Sequence, residues 1–303
     1  MSLLEPAEPA PSNRIVCGDN LQVLSSLAEA SVDLVYMDPP FATGTARKSS
    51  SGFRYDDRFG ALGAYLAWLV PCLAAVQRIL APSGSLFVHL DWRAVHYAKV
   101  ELDQLFGAER FVNEIIWCYS VGGKSARSFG HKHDTILWYA KSSAYAFFPD
   151  AVRIPRKPGS HMRVEADAKG RPVQVKRDRR TGKEYRYPVH AGKIPEDYWT
   201  DIETLNRGDR ERSGWPTQKP EALLARIILA ASAPGALVVD PCCGGGTTGV
   251  VAQRLGRRFL MADSSPEAVQ VTWSRLRKER DKLAAAGLTV PGLAIEGVLP
   301  ATR

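Results

Sequence analysis

Val-Asp-Leu-Val-Tyr-Met-Asp-Pro-Pro-Phe, residues 32–41, combines an apolar run with an abrupt stop. The run 32–37 predicts a buried strand, and the two prolines end it because proline has no amide hydrogen to donate to a sheet. A carboxylate, prolyl carbonyls and an aromatic ring then stand at the carboxyl end of the strand, where open α/β sheets bind ligands. The oxygens can accept the hydrogens of an amine and the ring can stack on a heterocycle, so a site for a flipped nucleobase is expected.

A second pattern of strand and turn occupies residues 237–249, Leu-Val-Val-Asp-Pro-Cys-Cys-Gly-Gly-Gly-Thr-Thr-Gly. It joins an apolar strand, an acidic residue, a glycine-rich turn and the start of a helical pattern. Glycines let the backbone approach a ligand closely, and a helix N-terminus favours negative charge. A further strand over 259–262 ends in Asp263, whose carboxylate suits the hydroxyl groups of a ribose.

The glycine pattern taken alone leaves two classes of cofactor open. Gly244, Gly246 and Gly249 form a G-x-G-x-x-G with Asp263 downstream, which also admits a nicotinamide enzyme. Three residues separate Asp240 from the first glycine, and the loop comes late in the chain. Both features make the nicotinamide enzyme the weaker alternative.

Together these segments resemble the β class of S-adenosylmethionine-dependent DNA amino-methyltransferases, in which the catalytic tetrapeptide precedes the cofactor loop. The resemblance covers most of the chain, and its motifs in this order are highly specific. The chain departs from the family pattern at Cys242, where the family more often has Phe, and at Gly245, which replaces a more usual Ser or Cys. The segments that carry the resemblance are residues 18–20, 38–41, 215–221, 240–248 and 256–263.

The resemblance implies methyl transfer to an exocyclic amine of a flipped base. The Asp38 carboxylate and the Pro39 carbonyl would accept the two amine hydrogens and stabilise the positive charge that develops. Lys219 is expected to meet the carboxylate of the cofactor, and Asp19 its adenine. The implied catalytic residues are Asp38, Pro39, Pro40 and Phe41. The implied cofactor-binding residues are Asp19, Asp38, Thr217, Gln218, Lys219, Pro220, Asp240, Pro241, Gly244, Gly246, Thr247, Thr248, Asp263 and Ser264.

The positive charge of the chain is concentrated in one segment. The net charge is +8, and residues 153–186 hold twelve Lys or Arg against four Asp or Glu. Such a stretch is typical of a protein that binds a polyanion, although a basic run taken alone is as often a solvated loop. Beside a base-modifying site, double-stranded DNA is the expected partner. The residues expected to contact DNA are Arg156, Lys157, Lys176, Arg177, Arg179 and Arg180.

Composition argues against several other classes of protein. The five cysteines form no C-x-x-C pair, and His131 and His133 lack an evident third ligand, so no metal site is expected. The longest apolar stretch, 65–76, is short for a membrane span and contains Pro71. The first dozen residues lack the basic start and apolar core of a signal peptide. A cytoplasmic, bacterial-type protein that associates with the nucleoid and with no membrane is expected.

Strands that alternate with helices predict an α/β fold with a doubly wound, mostly parallel sheet of the Rossmann-like methyltransferase type. The catalytic half precedes the cofactor half, and a helix over 217–231, with Thr217 as its N-cap, is expected to join them. The periodicity fades between residues 121 and 213. The expected divisions are a flexible tail over 1–12, a methyltransferase domain over 13–120 and 214–303, and a small target-recognition insertion over 121–213.

Several substrates remain open. The leading hypothesis is a site-specific DNA methyltransferase, with adenine N6 slightly favoured over cytosine N4 because Asp at the first motif position is more usual in adenine enzymes. An RNA or protein-glutamine methyltransferase would keep the same mechanism, and a DNA-binding protein without catalysis is a third interpretation. A homodimer and a companion restriction endonuclease are both compatible with the resemblance.

Overall fold

The computed structural model of the chain describes residues 13–41, 44, 46–48, 54–56, 59–120, 126–157, 162–206 and 208–297. The tail expected over 1–12 lies outside these residues. The chain divides into two compact units: a large unit of Met1–Phe147 with Asp197–Arg303, and a small unit of Phe148–Glu196.

Helices and strands alternate along the described chain, as the hydrophobic periodicity predicts. The helices are α1 (Asn20–Ser26), α2 (Leu62–Ile79), α3 (Val95–Phe106), α4 (Glu221–Ala231), α5 (Thr247–Arg254) and α6 (Pro266–Ala285). The strands are β1 (Asn13–Cys17), β2 (Val32–Met37), β3 (Ala46–Lys48), β4 (Arg54–Asp56), β5 (Leu80–Leu90), β6 (Phe111–Cys118), β7 (His133–Ala140), β8 (Arg163–Ala166), β9 (Pro172–Arg177), β10 (Glu184–Pro188), β11 (Tyr198–Trp199), β12 (Leu237–Asp240), β13 (Arg258–Asp263) and β14 (Leu293–Glu296).

Nine strands of the large unit form one sheet in the order β11-β6-β7-β5-β2-β12-β13-β1-β14. β2 pairs in parallel with β5 and with β12, and the pairing continues in parallel through β13, β1 and β14. β7 runs antiparallel between β5 and β6. Leu34 of β2 pairs with Val238 of β12, so the two halves of the chain join at the centre of the sheet.

Helices cover both faces of this sheet. Successive side chains of a strand point to opposite faces, so Met37 packs with α1, α2 and α3, while Tyr36 packs with α4, α5 and α6. Among the described helices α2 is long and apolar enough to cross a membrane by length and composition alone, yet its Leu69 and Leu73 are buried in the core. The predicted doubly wound, mostly parallel α/β fold is therefore confirmed.

The start of α4 differs from the sequence-based expectation. The helix begins at Glu221, its N-cap is Pro220, and no side chain caps it. The expectation that Thr217 caps this helix is wrong, because the residue before a proline is disfavoured in the helical conformation. The helix therefore starts only after Pro220, and Thr217 lies in the segment before it.

The small unit contains a three-stranded antiparallel sheet in the order β10-β9-β8. It is narrower than the insertion expected over 121–213. β7 and β11 fall within that range but belong to the nine-stranded sheet, because Ile136, Trp138 and Trp199 are buried in its core. The proposed role of this region in target recognition stays a prediction.

Candidate active site

The carboxyl ends of β1, β2, β12 and β13 meet around a cavity of about 800 Å³ in the large unit. Parallel strands end at the same edge of a sheet, so four carboxylates stand at or just past these ends. The cavity is lined by all four predicted catalytic residues and by the predicted cofactor-binding residues Asp19, Asp38, Thr217, Gln218, Lys219, Asp240, Pro241, Gly244, Thr247, Thr248, Asp263 and Ser264. Pro220 and Gly246 are not among its lining residues and form the N-caps of α4 and α5.

The two oxygens of the Asp38 carboxylate have different surroundings. Oδ2 accepts a hydrogen bond from Nζ of Lys219 over 2.5 Å. Oδ1 is buried and has no hydrogen-bond partner within the described part of the chain. Because buried polar atoms in native proteins are nearly always paired, an unpaired acceptor on a cavity wall marks a position for a donor hydrogen of a ligand.

Lys219 contacts the catalytic tetrapeptide at two points. Besides its bond to Asp38, its ammonium nitrogen lies 4.9 Å from the centroid of the Phe41 ring, within the range of a cation–π interaction. The motif predicts this lysine beside the carboxylate of a cofactor, whereas the structure pairs it with Asp38. The contact joins residues 181 positions apart, so no local pattern could have indicated it.

A buried polar network beside Phe41 was missed by the sequence analysis. His89 is wholly buried, with Nδ1 2.8 Å from the Tyr36 hydroxyl and Nε2 3.1 Å from the Asp134 carboxylate. Tyr119 donates its hydroxyl to the other Asp134 oxygen over 3.0 Å. Burial alone would raise the pKa of Asp134, but hydrogen bonds from His89 and Tyr119 hold that pKa below its ordinary value. The His89 and Phe41 rings are 5.8 Å apart, so this network supports the Phe41 ring.

The turn between β12 and α5 requires glycine for steric reasons. Gly246 has a φ of +73°, and a Cβ there would lie 2.5 Å from Thr272. Gly244 has a φ of +49°, and its Cβ would lie 2.8 Å from the indole nitrogen of Trp215. Trp215 also accounts for the family departure at Gly245, because a Cβ at that position would lie only 3.0 Å from the Trp215 Cβ.

The other departure from the family pattern, Cys242, lines the cavity as a neutral thiol. Burial raises the pKa of this thiol well above its ordinary value. Its sulfur accepts a hydrogen bond from the Asn20 amide over 3.5 Å, and Cys72 donates to the Asn20 carbonyl over the same distance. Cys242 therefore contributes a small, uncharged surface and not a nucleophile.

The buried carboxylates of the cavity suit a cationic ligand. Burial raises the pKa of Asp240 to about 7 and also raises the pKa of Asp263. Asp240 accepts hydrogen bonds from the Thr248 hydroxyl over 2.5 Å and the Cys242 amide over 3.1 Å. Asp263 accepts one from the Gly244 amide over 2.9 Å. A ligand that carries sulfonium and ammonium groups would offset this negative charge, so the residues fit S-adenosylmethionine.

Two further predicted cofactor residues bind the backbone of their own loops. Asp19 caps α1 by accepting the Gln22 amide hydrogen over 2.9 Å. The Gln218 carbonyl accepts hydrogen bonds from the amide and hydroxyl of Ser213, each over 2.7 Å, and its amide group donates to the Glu211 carbonyl over 2.8 Å. Both residues also line the cavity, and their contacts with a cofactor remain predictions.

Asp240 leads to a prediction about protons. At pH 7 its carboxyl group is about half protonated, and a cation in the cavity would lower its pKa, so cofactor binding should release about half a proton. Affinity should therefore rise as the pH increases through 7. Calorimetric titrations of S-adenosylmethionine in phosphate and in Tris should differ in heat by the ionisation enthalpy of the buffer. Asp240→Asn should remove most of this difference, and buffer-independent heat in the unmutated protein would contradict the prediction.

The strand beside β2 also ends at the cavity. Asp91, Trp92 and Arg93 directly follow β5 and line the cavity together with His131 and His133, which lie just before β7 and at its start. The sequence analysis missed the first three, although a position just after an apolar strand is the same signal that identified Asp38. The two histidines, interpreted as DNA-facing or solvated, stand on the cavity wall.

The predicted DNA-binding residues lie in the small unit. Lys176 and Arg177 are exposed at the end of β9, and Arg179 and Arg180 are exposed in the turn that follows. Lys157 is also exposed, whereas the Arg156 guanidinium lies 4.6 Å over the Tyr187 ring. Within the described residues, none of the four cations around this turn forms an ion pair.

The remaining arginines of this small sheet have acidic partners. Arg163 binds Glu165 over 2.6 Å and Glu184 over 2.7 Å, and Arg186 binds Glu165 over 2.6 Å. The turn after β9 is therefore the part of the described small unit where positive charge is left without a bound carboxylate.

Comparison with known proteins gives a consistent family. The family model N6_N4_Mtase, described as DNA methylase, matches residues 32–273. The type II methyltransferase M.BglII of Bacillus subtilis is 32% identical over 281 residues, which are 89% of this chain and 70% of that protein. The DNA adenine methyltransferase YhdJ of Escherichia coli K12 is 31% identical over 264 residues, 86% of this chain and 82% of that protein.

Solved structures have the same fold at lower identity. The PvuII DNA methyltransferase, which is cytosine-N4-specific, aligns with a TM-score of 0.61 and 18% identity over 95% of this chain and 98% of its own. A DNA modification methylase from Thermus thermophilus, TTHA0409, aligns with a TM-score of 0.60 and 22% identity over 94% of this chain and 100% of its own. These likenesses support the fold assignment.

Proposed function

Because the chain belongs to the DNA methylase family of N6 and N4 methyltransferases, and is thus an S-adenosylmethionine-dependent DNA methyltransferase, we propose that its target is N6 of adenine. The observation that carries an amine substrate is the buried, unpaired Oδ1 atom of Asp38 on the cavity wall. The preference for adenine over cytosine rests on Asp at the first motif position and on the likeness to YhdJ, which is named as an adenine enzyme.

The cofactor, when bound, supplies a methyl group on a positively charged sulfur. We assign its binding to the glycine turn and to the carboxylates of Asp240 and Asp263, which favour a cation in the cavity. Trp215 packs against Gly244 and Gly245 and thereby holds the turn in the shape that exposes its backbone. Proximity and alignment of the reacting atoms then supply a large part of the rate enhancement.

Asp38 makes the amine nitrogen reactive. The lone pair of an aromatic amine is delocalised into the ring, so the nitrogen is a poor nucleophile until its hydrogens are held out of the ring plane. Oδ1 of Asp38 accepts one hydrogen and the Pro39 carbonyl accepts the other. The same two acceptors stabilise the positive charge on nitrogen in the transition state, which is electrostatic preorganisation.

Lys219 and Phe41 complete the proposed arrangement. The Lys219 ammonium holds Oδ2, so the carboxylate turns Oδ1 toward the substrate. Phe41 stacks on the base, which must be flipped out of the duplex because the amine cannot reach such a cavity from within the helix. The network around His89 keeps the Phe41 ring in place.

The product of the reaction tests this proposal. Nucleoside mass spectrometry of DNA from a methylation-free host that expresses the protein should show N6-methyladenine, and Asp38→Ala should abolish the signal. N4-methylcytosine would retain the mechanism and correct the base. A 5-methylcytosine product would overturn the mechanism, because methylation at carbon requires a cysteine nucleophile that the catalytic tetrapeptide lacks.

The small unit is proposed to supply much of the affinity for double-stranded DNA. Neutralising Lys176, Arg177, Arg179 and Arg180 together should weaken binding, and each lost phosphate contact should reduce the slope of log affinity against log salt by roughly one. The matched control is the pair Arg163→Gln and Arg186→Gln, whose charges already have acidic partners. Equal changes of slope in both sets would refute a specific role for the turn after β9.

Three further assignments are proposals of the same kind. M.BglII and M.HpaI are both named type II methyltransferases, which supports a companion restriction endonuclease for this chain as well. We also propose a homodimer and a cytoplasmic location in contact with nucleoid DNA. Light scattering of the purified protein with and without DNA tests the dimer, and a monomeric mass in both conditions would exclude it.

A further inference from the structure

Trp92 is exposed where a large aromatic side chain is expected to be buried. Its exposed fraction is 44%, against 2% for Trp117 and 5% for Trp138. Burial of a tryptophan is strongly favourable, so an indole left in solvent on a cavity wall requires a reason. The proposed methylation chemistry, which uses Asp38, Lys219 and Phe41, does not provide one.

Planar groups already lie on this indole. The His131 ring is 4.8 Å from the Trp92 ring and only 14° from parallel. The Arg93 guanidinium lies 4.7 Å from the indole centroid, and Asp91 binds the same guanidinium. The indole therefore accepts flat heteroaromatic and cationic groups in a stacked geometry, and exposed His131 is free to give way to a larger ring.

The backbone places this stack beside the catalytic tetrapeptide. β5 is the parallel neighbour of β2, with Val88 in register with Met37. Asp38 and His89 are thus the next residues on the two strands, and Trp92 lies three residues beyond His89. With about 3.3 Å per extended residue, Trp92 stands roughly 10 Å further out along the same edge of the sheet. This is about the length of one nucleotide.

We propose that Trp92 is a second base-stacking site, separate from Phe41, which binds a nucleobase of the DNA substrate. The ligand is a purine or pyrimidine ring that stacks on the indole, with Arg93 and His131 adding positive charge next to the phosphates. The base is either the flipped target, held at its outer side, or a base next to it. This inference rests on the proposed DNA substrate and adds a contact to it.

The test pairs removal of the indole with removal of a base. The recognition sequence is first obtained by sequencing methylated DNA from the expression host, and duplexes are made intact, abasic at the target, or abasic at either neighbour. Trp92→Ala should weaken binding of the intact duplex by on the order of tenfold, which is typical of one base–aromatic stack. It should have no effect on the duplex that lacks the stacked base, and that duplex identifies which base it is.

Controls separate this site from a structural effect. Trp92→Phe should restore most of the affinity, and Tyr97→Ala, which removes an exposed aromatic on α3, should leave it unchanged. Affinity for S-adenosylmethionine should be the same in all variants. Equal losses on intact and on every abasic duplex, or no loss with Trp92→Ala, would overturn the inference. An unmutated protein that methylates no DNA would instead refute the proposed function.

Discussion

Replacing Asp38 with alanine should reduce the single-turnover rate constant of methyl transfer by about a hundredfold or more, which is the usual cost of losing one preorganised group that stabilises transition-state charge. The variant loses the acceptor Oδ1, so the amine lone pair stays delocalised. It also loses the negative charge that faces the developing cation. Cofactor affinity, measured by calorimetry, should change little because Asp240, Asp263 and the glycine turn remain.

Asp38→Asn is the matched variant for this test. Asparagine keeps the shape of the side chain and one oxygen acceptor, but it is neutral and cannot form the ion pair with Lys219. Its rate should fall between those of the alanine variant and the unmutated protein. A near-normal rate constant in the alanine variant would remove Asp38 from the reaction.

The second large effect is expected at Lys219. Lys219→Met removes the ammonium group that holds Oδ2 and keeps an unbranched apolar chain beside Phe41. The carboxylate would then turn freely, and misplacement of a catalytic group by about 1 Å costs roughly a hundredfold in rate. We therefore expect a large loss in the single-turnover rate constant at saturating cofactor, with a small change in cofactor affinity.

The opposite outcome would support the role that the motif predicts for this lysine. If Lys219→Met binds S-adenosylmethionine much more weakly but reacts normally once saturated, the lysine serves the carboxylate of the cofactor and not Asp38. Lys219→Arg retains the charge and should preserve part of the rate. A thermal unfolding midpoint close to that of the unmutated protein ensures that either result reflects the site.

The strand ends of the site could be predicted because their signals are local. Asp38, Asp240 and Asp263 each follow an apolar run directly, so the sequence places all three at one edge of a parallel sheet. The same reasoning extends to Trp92 but was not applied there, because no motif pointed to the strand before it.

The remaining features depend on contacts between distant parts of the chain. The partner of Lys219 is 181 residues away, and Asp134 reaches His89 across two antiparallel strands. The insertion also contains fewer residues than the fading periodicity indicates, because Ile136 and Trp199 are buried in the large core. Such packing is decided by the tertiary structure, which no window of sequence contains.

The pairing of β2 with β12 has a consequence for how the protein is made. During synthesis β2 emerges early, but the strand that covers its edge follows some two hundred residues later, since Leu34 pairs with Val238. Pairing between such distant segments is slow to form, and an uncovered apolar strand edge invites association between chains. A nascent chain that stops before residue 237 would carry the entire catalytic tetrapeptide and yet be prone to aggregate. The ribosome must therefore deliver the cofactor half before the catalytic half can become a stable, soluble structure.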